Sequence, residues 1–244
     1  MVGSGAAIGQ VPWRERVRLT VTRDIVLAAR RRVALDGIEG LTIRAVSRDL
    51  GMSSPAMYRY FRSLEDLTDA IVLDVLDEMT TVLGAEVDRA SGEDTSRQIV
   101  LASRALRTWA LDHTFEFQLT MVTPPTAEVG KPRLSDARYA FGKVFAALFV
   151  RFLGERGEEP LPEDSAALLP ETIAEFRRRI ELPVPDSTIA LFLRCWVRLY
   201  GVICMEVMGQ LRFLGDHAGE LFEAELKSLA DLLGMPKAAL DGRV

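Results

Sequence analysis

Apolar residues recur at spacings of three and four along almost the whole chain, and no stretch sustains the two-residue alternation between hairpin turns that marks a sheet. The pattern predicts an all-α protein. A first helix is expected from Thr22 to Asp36, with Ile25, Ala28, Ala29 and Val33 inward, Arg30, Arg31 and Arg32 mainly outward, and Gly37 as its stop. Thr42 is placed to cap a short helix through Leu50, which Gly51 ends. Ser53 caps a third, whose early Pro55 sacrifices no hydrogen bond. Ser63 and Asp66 have the spacing of a capping box at the head of a long helix reaching Arg89. Its inward stripe is Leu67, Ile71, Val75, Met79 and Val82.

Past the break at Ser91-Gly92, helices are expected from Asp94 to Asp112, Thr114 to Val122, Leu134 to Leu153 and Glu171 to Glu181. Proline-bearing loops separate the later ones. A long helix capped by Asp186 or Ser187 runs to Leu214, and Gly215 parts it from a last helix, His217 to Leu233. Two long helices joined by a short turn pack antiparallel. Two copies of such a pair predict a homodimer through the last two helices, burying Val202, Leu211, Leu221 and Leu229. The implied organisation is a basic flexible arm over 1–19, a helix-turn-helix domain over 20–66, a larger helical domain carrying the dimer contact over 67–236, and a tail over 237–244.

With 48% hydrophobic and 27% charged residues among 244, the composition is that of an ordinary globular protein. The N-terminus has no apolar signal, and no run of about 20 apolar residues suggests a membrane span, so a soluble, cytoplasmic protein is expected. Cys195 and Cys204 fall nine apart on one predicted helix, too far to pair, and read as small buried residues.

The net charge of −5 argues against a polyanion partner until the chain is divided. Residues 1–62 hold eleven arginines against five acids, a local charge of +6, while the remainder carries −11. A phosphate-facing module on an acidic body gives this asymmetry, because the field that matters is local. A solvated arginine-rich helix face gives the same count.

The segment TIRAVSRDLGMSSPAMYRYF has helix-turn-helix logic: a short helix, a glycine turn and a second short helix held across it. Val46, Leu50, Met52, Met57 and Phe61 face inward, and Ser47 is small where the helices cross. Ser54, Ala56, Arg59 and Tyr60 are left outward on the second helix, whose N-terminal end suits a major groove. Arginine can bond both guanine acceptors, a methyl can touch thymine, and hydroxyls suit phosphates.

From Arg23 to about Leu67 the chain resembles the tetracycline-repressor-like (TetR) regulators. The likeness rests on Ile25 with Ala28-Ala29, Gly37, Leu41-Thr42, Val46, Leu50-Gly51-Met52-Ser53, Met57-Tyr58, Tyr60-Phe61 and the start of the next helix from Ser63. The resemblance implies that Thr42 and Ser53 contact phosphate, that Arg44 and Ala56 lie at base edges, and that Tyr58 and Tyr60 face backbone or groove. Leu64 stands where many relatives place a phosphate-gripping lysine, which implies that Arg62 takes that contact. Further on, Trp196 to Gly201 resembles the Trp-x-x-x-His-Gly signature of one subgroup of C-terminal ligand domains, with Tyr200 in place of His. Phe115 to Pro125 is similar to that subgroup's short helix and loop.

Arg14, Arg16 and Arg18 read either as an arm reaching a minor groove or as part of a solvated tail. Aromatic residues at helical spacing are usually core, but the family likeness implies that a subset lines a pocket for a small hydrophobic or aromatic effector. The candidates are Trp109, Phe117, Met121, Phe145, Phe149, Phe176, Trp196 and Tyr200, with Gln118, Arg194 or Tyr200 as polar groups. His113 and His217 read as helix-end histidines. No catalytic, metal-ligand or nucleotide-binding spacing is present, so neither enzyme chemistry nor a cofactor is expected. The overall expectation is a ligand-responsive repressor on a palindromic double-stranded DNA operator. The competing reading is an all-α small-molecule-binding or adaptor protein that does not read DNA.

Overall fold

A computed structural model describes residues 12–122, 130–157, 170–180 and 184–242, and among them every regular element is helical. Two compact units divide the chain, residues 1–71 and 72–244. The helix α4 (Leu64–Arg89) contributes its first two turns to one and the rest to the other.

In the first unit, α1 (Trp13–Asp36) begins nine residues before the periodicity predicted. Pro12 through Thr20 are exposed, so this segment has no buried face to generate an amphipathic pattern. Arg14, Arg16 and Arg18 therefore stand on a helix instead of a flexible arm; the expected arm's residues 1–11 lie outside the described set. Ile25, Val26, Ala28, Ala29 and Val33 bury the other end of α1. It packs against α2 (Ile43–Asp49) and a 3-10 turn at Ile38–Gly40, while α2 packs on the single-turn α3 (Ser54–Met57).

At the head of α4, Ser63 Oγ accepts the Asp66 N–H at 3.0 Å, as a capping residue should. The short Asp66 side chain reaches back one residue further than a reciprocal capping box and accepts from the Arg62 N–H at 3.0 Å. Leu67, Ile71, Val75 and Met79 are buried as predicted, while Val82 is only half-buried and Leu83 is buried in its place.

In the second unit, α5 (Thr95–Asp112) is capped by Asp94, which accepts the Arg97 N–H at 2.9 Å. It packs on α6 (Thr114–Val122), α7 (Pro132–Arg156) and α9 (Asp186–Val207). The helix α8 (Pro170–Ile180) lies on α7 and α9, and α10 (Ala218–Leu232) lies on α9. By length and composition α9 could cross a membrane; here it is a core helix contacting α5, α6, α7, α8 and α10.

The sequence carries α9 on to Leu214, but the helix stops at Val207. Gly209 adopts φ 70°, and the Gly209 and Gln210 N–H groups bond back to the Glu206 and Met205 carbonyls, each at 2.9 Å. That is a Schellman stop, which glycine enters without steric cost. Asp186 is the first helical residue and Pro185 precedes it, so neither Asp186 nor Ser187 caps α9.

Two of the four residues expected between subunits are used within one chain: Leu211 and Leu229 are buried. Leu221 stays 41% exposed. The expected tail is partly structured as well. Lys237–Leu240 forms a 3-10 turn packed on α5, with Ala239 buried. Arg97 donates to the Ala239 and Asp241 carbonyls, and Arg104 donates to those of Leu240 and Gly242.

Candidate functional site

The turn between α2 and α3 is fixed by backbone geometry. Gly51 sits at φ 63°, while its N–H reaches the Arg48 carbonyl at 3.1 Å and that of Met52 reaches Ser47 at 2.9 Å. This second Schellman motif ends α2 and sends the chain directly into α3. Thr42 Oγ1 accepts the Ala45 N–H at 3.1 Å, and Ser53 Oγ accepts the Ala56 N–H at 3.3 Å. Both residues are exposed, and each hydroxyl retains an O–H that can donate to a phosphate oxygen.

Val46, Met57 and Phe61 are buried beneath these caps, and Ser47, also buried, gives its hydroxyl to the Ile43 carbonyl. Leu50 and Met52 are half-buried at the edge of that core. Arg44, Arg59 and Arg62 are exposed, Tyr58 is 53% exposed, and Ser54, Ala56 and Tyr60 are half-buried. The nine candidate DNA-contact residues thus all retain accessible surface, two at the start of α2 and seven on α3 and the segments that flank it. Leu64 is 40% exposed and brings no charge to the start of α4.

Arg32 was not singled out by its type or spacing, yet it positions this module. Its Nε and Nη2 each donate to Asp49 at 2.8 Å, and Nη1 donates to Asp36 at 2.6 Å. A guanidinium that grips the last residue of α2 fixes its angle to α1.

A cavity of about 50 Å³ lies within the helical body between α5, α7, α9 and α10. Of the residues expected around an effector, Phe145, Phe149 and Trp196 line it. Phe176 faces a neighbouring void of about 10 Å³ together with Phe149 and Phe192. Phe117 is fully buried against Tyr200, whose ring in turn stacks on Trp196 at 5.0 Å. Trp109 does not line the cavity; its indole donates to Glu78 on α4 at 3.1 Å and its ring stacks on His113 at 4.4 Å. The Met121 side chain lies outside the described residues.

Two of the polar candidates are accounted for within the helical body. Gln118 donates to the Val207 carbonyl at 3.0 Å, and Tyr200 is a phenol whose pKa burial pushes up, so it stays protonated. His113 and His217 sit at helix ends, as their spacing implied. Among the described residues no cluster of His, Cys, Asp and Glu could hold a metal ion. Much of the remaining wall comes from Phe192, Leu199, Leu226, Leu229, Leu233 and Met235, none of them among the effector-site candidates. Their signal was present in α10, where Phe222, Leu226, Leu229 and Leu233 recur at helical spacing.

Two family models match the chain. One, for bacterial regulatory proteins of the tetR family, covers residues 25–71. The other, for the tetracyclin repressor-like C-terminal domain, covers residues 99–229. The HTH-type transcriptional regulator Rv1816 of Mycobacterium tuberculosis is 26% identical over 235 residues, spanning 92% of this chain and 97% of that protein. The crystal structure of SCO4313, described as a regulatory protein, superposes with a TM-score of 0.66 at 28% identity, covering 91% of this chain and all of that one. A Rhodococcus sp. RHA1 protein of unknown function has the same fold at a TM-score of 0.66, with 18% identity over 88% of this chain and 95% of its own.

Proposed function

Because the chain belongs to the tetracycline-repressor-like (TetR) family of DNA-binding transcriptional regulators, we propose that it acts as a cytoplasmic homodimeric repressor, released from a palindromic operator by a small apolar effector. The observation that carries the DNA-reading half is the α3 end of the module, where Ser53, Ser54, Ala56, Arg59, Tyr60 and Arg62 all keep accessible surface and Arg44 is exposed on the first turn of α2. Each copy presents this end to a major groove, and two copies address half-sites about 34 Å apart or somewhat more. Thr42, Ser53, Tyr58 and Arg62 hold phosphates, while Arg44 and Ala56 meet base edges.

Self-association runs through the exposed faces of α9 and α10, where Val197, Met205 and Leu221 remain accessible. The effector binds in the helical body and favours one setting of α4. That coupling requires the ligand to bind two conformations with different affinity, since equal binding shifts nothing.

Footprinting on the DNA upstream of the protein's own gene tests the reading. A two-fold symmetric footprint that weakens steeply with salt is expected, and it should be lost in Arg44→Ala and Tyr60→Ala variants that remain folded. A folded dimer without salt-sensitive DNA binding would leave only the small-molecule-binding or adaptor reading.

A further inference from the structure

We propose that the cavity between α5, α7, α9 and α10 takes a small uncharged hydrocarbon group, aromatic or aliphatic, and excludes charged ligands. This rests on the effector reading but goes beyond it in placing α10 and the turn after it in the ligand's wall. The wall is almost wholly carbon, including Phe145, Phe149, Phe192, Leu199 and Leu226. Its exceptions offer a ligand little. The Ser103 hydroxyl is already given to the Ile99 carbonyl at 2.7 Å. Cys195 is a buried thiol, and burial pushes its pKa up to about 11, so it carries no charge at neutral pH. Trp196 is stacked between Phe192 and Tyr200, with ring centroids at 6.2 and 5.0 Å.

Placing a carboxylate or ammonium against such a surface costs far more than a neutral ring, because nothing there replaces its hydration. Phe145 meets Trp196 at a tilt and Phe149 meets Phe192 edge-on, an arrangement that accepts another ring. The void of about 50 Å³ is smaller than the roughly 150 Å³ known to hold benzene in an apolar protein cavity. A ring therefore requires the wall to yield. Shortening the wall at Leu229 should make binding easier.

The test uses the full chain without DNA, with toluene and its charged counterparts benzoate and benzylammonium as probes, read by calorimetry and by shift in Tm. Toluene should bind and raise Tm by several degrees at saturation, while neither ion does. Leu229→Ala should tighten toluene binding at least tenfold. Met235→Ala supplies the same enlargement from the other side if the first variant is poorly folded. Ser103→Ala should leave toluene binding unchanged. Benzoate or benzylammonium binding as well as toluene would overturn the proposal, as would no toluene binding by either enlarged variant. Toluene binding without operator binding would fail the regulator reading alone; operator binding without toluene binding would fail this one alone.

Discussion

Arg32 on α1 holds Asp49, the last residue of α2, through two parallel N–H···O bonds of 2.8 Å each. The same guanidinium reaches Asp36 one turn along its own helix, so a single side chain joins the end of α1 to the segment that precedes the recognition turn. Its guanidinium-bearing side chain is only 19% exposed, which shields the pair from part of the screening that weakens surface ion pairs. Arg32→Ala should cost about 1–2 kcal/mol of stability in the first unit and lower operator affinity without changing which bases are preferred. Urea unfolding and a binding-site selection on the same variant check both parts. Arg32→Lys should recover only part of the loss, because an ammonium cannot make the paired contact.

Gly51→Ala isolates the conformational cost of the turn. A Cβ at this position meets nothing within 4 Å, so crowding does not contribute. With φ at 63°, the substitution should cost about 1 kcal/mol, read as a lower unfolding midpoint. Gly51→Asn should cost less, since asparagine tolerates this region better.

Arg44 and Arg62 should separate in their salt dependence. Arg62→Ala removes a proposed phosphate contact, so affinity should fall about equally for all sequences and the slope of log K against log salt should shrink by about 1. Arg44→Ala should cost about 1–3 kcal/mol on the preferred operator and relax the choice at one base pair. Titrations at several salt concentrations, on the operator and on scrambled DNA, distinguish the two.

The pair between Arg104 and Glu223 predicts a larger effect. Arg104 is only 5% exposed, and its Nε and Nη2 donate to Glu223 at 2.9 and 2.8 Å. Glu223→Ala leaves a buried guanidinium without its counter-charge, bonded only to the Leu240 and Gly242 carbonyls, and should destabilise the helical body by about 2–4 kcal/mol. Arg104→Met with Glu223→Leu should lose less than the single change, because no charge is left behind. Thermal unfolding of the three variants tests this.

Alkaline pH should weaken the helical body through its thiols. Burial raises Cys195 from its ordinary 9.0 to about 11, and it does the same for Cys204. The folded state thus favours the protonated thiol. The contribution is fully present below pH 9 and is lost as pH rises toward 11. Tm measured from pH 8 to 11 should decline, and less steeply in Cys195→Ala. Labelling of Cys195 by a thiol reagent at pH 8 should be slow in the folded protein.

Much of the first unit was legible because its signals are local. Thr42 and Ser53 cap the helices they were expected to cap, and Gly51 makes the turn. The beginning of α1 was not, since a helix whose residues bury nothing leaves no period to read. The end of α9 was misread because Leu211 and Leu214 continue an apolar spacing through Gly209, and spacing alone does not reveal a positive φ. The candidate ligand site was legible only in part. Periodicity says that Trp109 and Phe117 point inward, but which inward residues border an empty space depends on how four helices meet. Leu229 shows the same limit from the opposite side: an apolar position on the last helix faces either a second copy or its own core, and here it faces the core.

The carbonyls of Ala239 to Gly242 make this turn a working part of the helical body. Here Arg97 and Arg104 on α5 depend on those carbonyls for hydrogen bonds. Cutting the chain before this turn would therefore rob the buried Arg104 of two acceptors and loosen α5 from within.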